Sequence, residues 1–418
     1  MKRYISLAML TLLLVLALSS FGMPGNVAGP AVAAPAPAPA SAPKIDPSAP
    51  PPAPVSALET TVEGMYAQVN RSVVNIRVVE QAQSNSPNFP QIPGFPNMPF
   101  QQPQGPQIQQ GLGSGFVWDT QGHIVTNNHV VDGATTIEVT FADGVTVPAK
   151  VVVTDVNSDL AVIQVDKNAD KPVPVQVADS SQVKVGQLAV VIGNPFGLEG
   201  TLTVGYVSGL GRSLPVQATD QQGASYIIPD IIQTDAPINA GNSGGVVVDD
   251  QGRVIGVTTA IQQSSSGIGF AVPSAMVQKV VPALINTGHY DHTWLGVSAT
   301  TLNPDLNSAM KMSAQQRGAL VVDVMPGSPA DKAGLQGSTR QVIINGQQVQ
   351  VGGDVIVAID GKPVKTFDDV VTYLADSTQV GQTITLTVLR NGKQVTLNVT
   401  LDARPSTSQP STQPMSQQ

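Results

Sequence analysis

The chain has 418 residues, which is enough for two or three domains of ordinary size. A formal net charge of −8 and an isoelectric point near 4.9 argue against a nucleic-acid partner, because such proteins usually carry a basic surface. The absence of cysteine excludes disulfide frameworks, Cys-rich metal sites and cysteine nucleophiles, and four separated histidines argue against a structural metal site. No metal and no cofactor are expected.

The amino terminus has the composition of an export signal. Lys2 and Arg3 precede an apolar run at residues 5–18, and small residues follow, including Ala-Val-Ala-Ala at 31–34. The apolar run is shorter than the roughly 20 residues that a membrane-spanning helix needs. If the few residues that follow it are included, the segment is marginally long enough to span a membrane. We therefore predict that residues 1–29 are a signal peptide or a membrane anchor, and that the protein is periplasmic or otherwise extracytoplasmic.

Three stretches of biased composition indicate segments without a core of their own. Residues 30–56 are rich in Ala, Pro and Ser, and we predict an extended linker because proline fixes φ and lacks an N–H donor. Residues 81–110 are rich in Pro and Gln and lie between strand-like runs, which indicates a long loop inside a domain. Residues 403–418 are predicted to be a disordered tail.

Between these stretches the patterns are mainly of the β type. Short apolar runs separated by Gly and Asp turns fill residues 113–273, which is typical of β-sandwiches and barrels. The spacing then becomes helical from Ser274, with Gly288 as a stop and Pro282 as a possible kink. A separate unit begins near residue 291 and ends near residue 402.

The stretch DAPINAGNSGGVVVDD at 235–250 places Ser243 among three glycines, just before an apolar strand. Glycine loses more conformational freedom on folding than any other residue, so this loop is either a tight turn or a site where backbone amides take part in chemistry. A serine hydroxyl becomes a nucleophile only when a base takes its proton, and a carboxylate usually holds that base. The loop therefore predicts a matching His and Asp elsewhere in the β region.

Among the histidines, His129 in IVTNNHVVDGA is the best candidate for the base, because it follows an apolar strand directly. His123 lies in a hairpin turn, where we expect a solvated side chain. His289 and His292 follow the predicted helix, where we expect both to be exposed and without a role.

Among the acids, Asp159 in NSDLAVIQV lies at the mouth of an apolar strand, where a half-buried carboxylate can accept from an imidazole N–H. Asp155 and Asp166 fit turn-capping roles better. The resulting order His, Asp, Ser is that of chymotrypsin-type enzymes.

The motifs TNNHVV, SDLAVIQV, GNPFG, TDAPINAGNSGG and GIGFAVP, in this order, resemble the HtrA (Deg) family of exported serine proteases over roughly residues 58–402. The resemblance implies a mainly β fold, with a chymotrypsin-like double β-barrel protease domain at 57–290 followed by a single PDZ domain at 291–402. It also implies that His129 is the general base, that Asp159 orients it and that Ser243 is the nucleophile.

The same resemblance gives expectations for the oxyanion hole and the specificity pocket. In the chymotrypsin-like arrangement the amides of Gly241 and Ser243 bind the oxyanion. Trypsin-like enzymes carry an acid six residues before the serine, where this chain has Pro237, and Asp235 is expected to serve structure. The expected walls of the specificity pocket are the apolar residues Ile238, Ile268 and Phe270. We therefore predict cleavage after small or medium aliphatic residues.

The carboxy-terminal unit, with TWLGV at 293–297 and a predicted helix at 367–375, resembles a PDZ domain. Such domains add a peptide as an extra strand and bind its terminal carboxylate on consecutive amides, here those of Leu295, Gly296 and Val297. Residues 336–350 are predicted to form an additional hairpin. The alternative is a small β domain that only packs on the protease.

The sequence therefore favours an exported, ATP-independent serine endoprotease that acts on unfolded or damaged proteins and binds peptide C-termini at its PDZ domain. The alternative is a holdase chaperone or peptide-binding scaffold with a resting active site, and a signalling protease with one substrate would share every residue named. The resemblance also implies a homotrimer formed near residues 58–69, and a membrane tether is possible.

Overall fold

The computed structural model describes residues 53–82, 107–168, 172–194, 200–217, 225–259 and 267–405. The predicted signal or anchor at 1–29, most of the predicted linker and most of the loop at 81–110 lie outside the described residues. Within the described ranges, no helix has both the length and the hydropathy needed to span a bilayer.

The first part of the described chain, up to residue 164, forms a six-stranded closed barrel in the order β1-β2-β3-β6-β5-β4, in which β4 pairs with β1. Its elements are α1 (Ala53–Val69), β1 (Val73–Ala82), β2 (Gln107–Val117), β3 (His123–Thr126), α2 (Asn128–Val131), β4 (Ala134–Thr140), β5 (Thr146–Asp155) and β6 (Leu160–Gln164).

A second six-stranded barrel follows, with the order β10-β11-β12-β9-β8-β7, and a helix packs against it. Its elements are β7 (Leu188–Gly193), β8 (Thr201–Gln217), β9 (Ser225–Thr234), β10 (Val246–Val248), β11 (Val254–Thr259), β12 (Gly269–Pro273) and α3 (Ser274–Thr287). Two barrels of this kind confirm the predicted chymotrypsin-like architecture.

The carboxy-terminal domain is a sheet with the order β14-β15-β18-β20-β21, flanked by α6 and by two small two-stranded sheets, β13 with β22 and β16 with β17. Its elements are β13 (Thr293–Trp294), β14 (Val297–Thr301), α4 (Pro304–Ala309), β15 (Ala319–Val324), α5 (Pro329–Lys332), β16 (Arg340–Ile344), β17 (Gln347–Val351), β18 (Val355–Ile359), β19 (Lys362–Pro363), α6 (Phe367–Ser377), β20 (Thr383–Arg390), β21 (Lys393–Thr400) and β22 (Asp402–Ala403). The predicted extra hairpin is confirmed by the pairing of β16 with β17.

Strand β6 shows how one strand serves two cores. Ala161 and Ile163 belong to the interior of the first barrel, whereas Leu160 and Val162 pack in the cluster shared by both barrels, α1 and α3. Side chains on a strand alternate between faces, so a continuous apolar run is the pattern of a strand covered on both sides. Each fully buried Leu, Val or Ile stabilises the fold by about 1.5–3 kcal/mol.

Several element ends differ from the predicted boundaries because tertiary pairing extends them. Helix α1 begins at Ala53, inside the predicted linker, and β1 and β2 continue to the pair Ala82 and Gln107 at the ends of the predicted loop. Strand β22 includes Ala403, and the Arg404 N–H donates to the His292 carbonyl, so the predicted tail begins as ordered structure.

The carboxy-terminal domain contacts the barrels through α6, which lies against β8 and β9. The ammonium of Lys279 in α3 donates to the backbone oxygens of Ala375 (3.1 Å) and Asp376 (2.6 Å), near the end of α6. The last carbonyls of a helix lack helical donors and carry partial negative charge, so a lysine at this position stabilises the contact.

Asp230 is a half-buried titratable group near this contact. It lies in β9 with a φ of 50° and accepts a hydrogen bond from the Gly211 backbone. Burial, followed by repulsion from Asp376, raises the pKa of Asp230 from 3.8 to about 6. Between these two values the folded protein keeps a proton that the unfolded chain releases, so stability falls as the pH rises through this window.

Replacing Asp230 with Asn is therefore expected to raise the free energy of unfolding by about 1–2 kcal/mol at pH 8, and by much less at pH 4. Asn retains an acceptor for the Gly211 N–H and tolerates a positive φ, but it has no charge to desolvate. Urea titrations of both proteins at pH 4, 6 and 8 measure the difference. A gain in stability that did not grow with pH would contradict the assignment.

Candidate active site

The turn between β5 and β6 holds Asp159 in a buried, left-handed conformation. Its φ is 54° and its exposed fraction is 0%. Its carbonyl accepts from the Asn128 N–H at 3.1 Å and from the side-chain amide of Asn127 at 3.0 Å. The turn is thereby fixed against the start of α2, the short helix that carries His129.

His129 and Asp159 form a close pair. The imidazole Nδ1 lies 2.9 Å from each carboxylate oxygen, and the backbone N–H of His129 donates to Oδ1 at 3.1 Å. The hydroxyl of Thr259 donates to Oδ2 at 3.2 Å. With Nδ1–H bound by the carboxylate, the neutral ring keeps its lone pair on Nε2, which is the atom that a general base needs. The side chain of His129 is 34% exposed.

The loop that carries Ser243 lies between the two barrels. The Ser114 N–H in β2 donates to the Ser243 carbonyl at 2.7 Å. On the other side, the Gly244 N–H donates to the Thr258 carbonyl and the Thr258 N–H donates to the Gly245 carbonyl, both at 3.0 Å. Thr258 precedes Thr259, which binds Asp159, so the end of β11 connects the serine loop to the His–Asp pair.

The glycines of this loop are required by backbone conformation and by close approach. Gly241 and Gly244 have φ values of 90° and 84°. A Cβ on Gly244 would lie 2.1 Å from the Ser114 carbonyl oxygen and 2.3 Å from the Thr126 hydroxyl, and one on Gly245 would lie 2.7 Å from the Ile192 carbonyl oxygen. Backbone atoms cannot move aside cheaply, so a larger residue at Gly244 would push the loop away from the first barrel, and one at Gly245 would push it away from β7.

The residues predicted as pocket walls do not share one apolar cluster. Ile238 packs with the interior of the second barrel and against the backbone of Gly269, whereas Phe270 packs with the cluster between the barrels. Ile268 is 41% exposed. Asp235 serves structure as expected, because its carboxylate accepts from the Tyr206 N–H at 2.6 Å.

The expectations for His123 and His292 were wrong. His123 Nδ1 lies 2.7 Å from Asp119 and its side chain is 13% exposed. His292 Nε2 lies 2.7 Å from Asp155, and its side chain is 16% exposed. Asp155 is buried and also accepts a hydrogen bond from the Ser158 hydroxyl. Its buried carboxylate needs a further partner, here His292, which a turn-capping role would not require. His289 is exposed, as predicted.

A second candidate site lies in the carboxy-terminal domain, between β14 and α6. Gly296 has a φ of 81°, and a Cβ there would lie 2.1 Å from the Cβ of Ser328. The amides of Leu295 and Gly296 donate to no other backbone or side-chain group among the described residues. Apolar residues of α6 and three residues of the protease domain line the same cavity: Phe367, Val370, Val371, Leu374, Asn157, Ile227 and Pro229.

Sequence reasoning missed the residues that support the site. Asn127, Ser114, Thr258 and Thr259 each donate to the Ser243 loop or to the Asp159 turn. The Gly-Ser-Gly sequence at 113–115 was a possible signal, because it repeats the small-residue pattern of the Ser243 loop. The described residues contain no group of three or more His, Cys, Asp or Glu arranged to bind a metal.

Comparisons with known proteins agree with this geometry. Residues 113–257 match the trypsin-like peptidase domain family and residues 294–401 match the PDZ domain family. The structure of the HtrA-type protease AlgW with decapeptide is 32% identical and has a TM-score of 0.59, and the match covers 82% of this chain and 99% of that one. The chain belongs to the HtrA family of serine proteases.

Two relatives of this HtrA protein are longer than the segment that they share with it. Protease Do-like 1, chloroplastic, from Arabidopsis thaliana is 42% identical over 305 residues, which cover 72% of this chain and 66% of the relative. Periplasmic serine endoprotease DegP from Escherichia coli (strain K12) is 42% identical over 294 residues, which cover 69% of this chain and 56% of the relative. The match thus spans less than two thirds of the length of either relative.

Proposed function

We propose that this HtrA protein is an exported, ATP-independent serine endoprotease that hydrolyses peptide bonds in unfolded or damaged proteins. The observation that carries the proposal is the buried carboxylate of Asp159 bound to Nδ1 of His129, connected through Thr259 and β11 to the loop of Ser243. A carboxylate so placed fixes the tautomer of the imidazole and stabilises the imidazolium that forms during acyl transfer.

In the proposed mechanism, His129 takes the proton of the Ser243 hydroxyl as that oxygen attacks the scissile carbonyl. The negative charge that develops on the carbonyl oxygen is stabilised by the amides of Gly241 and Ser243. His129 then gives its proton to the leaving amine, and water releases the acyl group by the same steps. Asp159 stays ionised throughout.

The proposed specificity is for small or medium aliphatic residues before the cleaved bond. Pro237 stands where trypsin-like enzymes carry an acid, so there is no negative charge to bind a basic side chain at that position. Ile238 presents an apolar side chain close to the loop, and we propose that it forms part of the pocket with Ile268 and Phe270.

The carboxy-terminal groove is proposed to bind peptide C-termini. Adjacent amides at Leu295 and Gly296, with Val297 beginning the neighbouring strand, form an arrangement that can accept a carboxylate, while α6 offers an apolar wall. One similar solved structure is that of the HtrA-type protease AlgW with decapeptide.

The proposed location is outside the cytoplasm, because the chain starts with a basic and then apolar segment and a relative is named as periplasmic. The homotrimer and the membrane tether stay predictions.

Replacing Ser243 with Ala is expected to reduce casein cleavage at least about a thousandfold, because the loop would keep its backbone but lose the nucleophile. The thermal midpoint should stay within a few degrees of the wild type. A fluorophosphonate probe should label the wild type and not S243A. Cleavage by S243A, or a wild type that neither cleaves nor reacts with the probe, would contradict the proposal and favour a peptide-binding scaffold.

Ten-residue labelled peptides that end in an aliphatic residue are expected to bind the S243A protein at least about tenfold more tightly than the same peptides with a C-terminal amide, because amidation removes the charge that the amides recognise. Fluorescence polarisation measures both affinities. Equal affinities would argue that the carboxy-terminal domain packs on the protease without binding C-termini.

A further inference from the structure

We infer that Thr258 and Ser114 are positioning residues of the proposed reaction: Thr258 holds the peptide plane that carries the Ser243 amide, and Ser114 holds the planes on either side of it. One hydroxyl comes from each barrel, and each binds a carbonyl of the nucleophile loop. The inference rests on the proposed function. It adds two residues whose hydrogen bonds to the loop go to backbone groups, and not to the Ser243 hydroxyl or to the His–Asp pair.

Thr258 fixes the peptide plane between Asn242 and Ser243. Its hydroxyl donates to the Asn242 carbonyl, which also accepts from the Gly245 N–H at 2.9 Å. This peptide is trans, so its C=O and its N–H point in opposite directions. Two donors that fix the Asn242 carbonyl therefore also fix the direction of the Ser243 N–H, which is one of the two proposed oxyanion donors.

The backbone of Thr258 adds to this control. Its carbonyl accepts from the Gly244 N–H and its N–H donates to the Gly245 carbonyl, so Thr258 makes three hydrogen bonds to the loop, at Asn242, Gly244 and Gly245. Thr258 is fully buried, with an exposed fraction of 0%. A buried hydroxyl with a single orientation is a stiffer support than a solvated one, because water cannot replace its bond to the carbonyl.

Ser114 holds the planes on either side. Its hydroxyl donates to the Gly241 carbonyl at 2.7 Å and accepts from the Asn194 N–H at 2.8 Å. Its own N–H donates to the Ser243 carbonyl at 2.7 Å. Three consecutive peptide planes, from Gly241 to Gly244, are thus each held by a group of Ser114 or Thr258.

This geometry matters most in the transition state. The two amides bind the substrate carbonyl weakly and the oxyanion strongly. An amide displaced by a few tenths of an ångström therefore lowers the reaction rate and leaves the substrate affinity nearly unchanged. A positioning role therefore predicts a loss in kcat with little change in KM, and a parallel loss of affinity for a peptide boronic acid, whose adduct with serine is tetrahedral.

The test compares Thr258→Val with Thr258→Ser, because the first removes the hydroxyl at similar volume and the second keeps it. Ser114→Ala tests the other barrel, and it also serves if T258V does not fold. Ser274→Ala is the matched control, since Ser274 is a fully buried serine of the same domain whose hydroxyl donates to the Ala178 carbonyl at 2.7 Å, away from the loop. Each protein is assayed with a chromogenic peptide and with a peptide boronic acid.

We expect T258V and S114A to lose about tenfold to a hundredfold in kcat with KM within about twofold, and to bind the boronic acid more weakly by a similar factor. T258S and S274A should stay within about threefold of wild-type kcat. If the wild type is active and both T258V and S114A keep the wild-type kcat, this inference is overturned and the proposed function is not. A loss of kcat in S274A equal to the loss in T258V and S114A would have the same meaning. A wild type without hydrolysis or probe labelling would overturn the proposed function and this inference with it.

Discussion

The contact between the two barrels at Ser114 and the Ser243 loop is the interaction on which the proposed site depends. Neither barrel contains all the required groups, because His129 and Asp159 belong to the first barrel and Ser243 follows strands of the second. Hydrogen bonds from Ser114 and the absence of a Cβ on Gly244 let the barrels approach closely enough for the loop to lie beside β2. The apolar cluster shared by the barrels supplies the driving force, and these polar bonds set the alignment.

The junction with the carboxy-terminal domain reaches the same region from the other side. Asp155 and Asp159 lie at the two ends of one turn, and Asp155 is bound by His292 from the segment between the domains. Asn157 of the same turn lines the cavity that contains Leu295 and Gly296. The turn that carries Asp159 is therefore also part of the wall of the proposed peptide groove.

Much of this arrangement could be predicted from the sequence, and the part that could not has a common physical cause. Local patterns identified the strands, the helix stop at Gly288, and the glycine-flanked serine, because turn chemistry and side-chain alternation are written in neighbouring residues. Pro282 did not break α3, which runs to Thr287 with Val280, Val281 and Leu284 buried against the barrels.

The contacts that could not be predicted join residues that are far apart in the sequence. Ser114 and Gly241 are 127 residues apart, and His292 and Asp155 are 137 residues apart. No spacing rule links such positions, and a lone histidine in a linker gives no sign that a buried carboxylate will lie beside it.

The most direct measurement is a crystal structure of the wild-type protein with a peptide boronic acid. The account predicts boron bonded to the Ser243 oxygen, with one boronate oxygen within hydrogen-bonding distance of the amides of both Gly241 and Ser243, and with Nε2 of His129 next to another. A boronic acid that bound elsewhere, or an adduct whose oxygens faced away from both amides, would contradict the claim that contact between the barrels assembles a catalytic site.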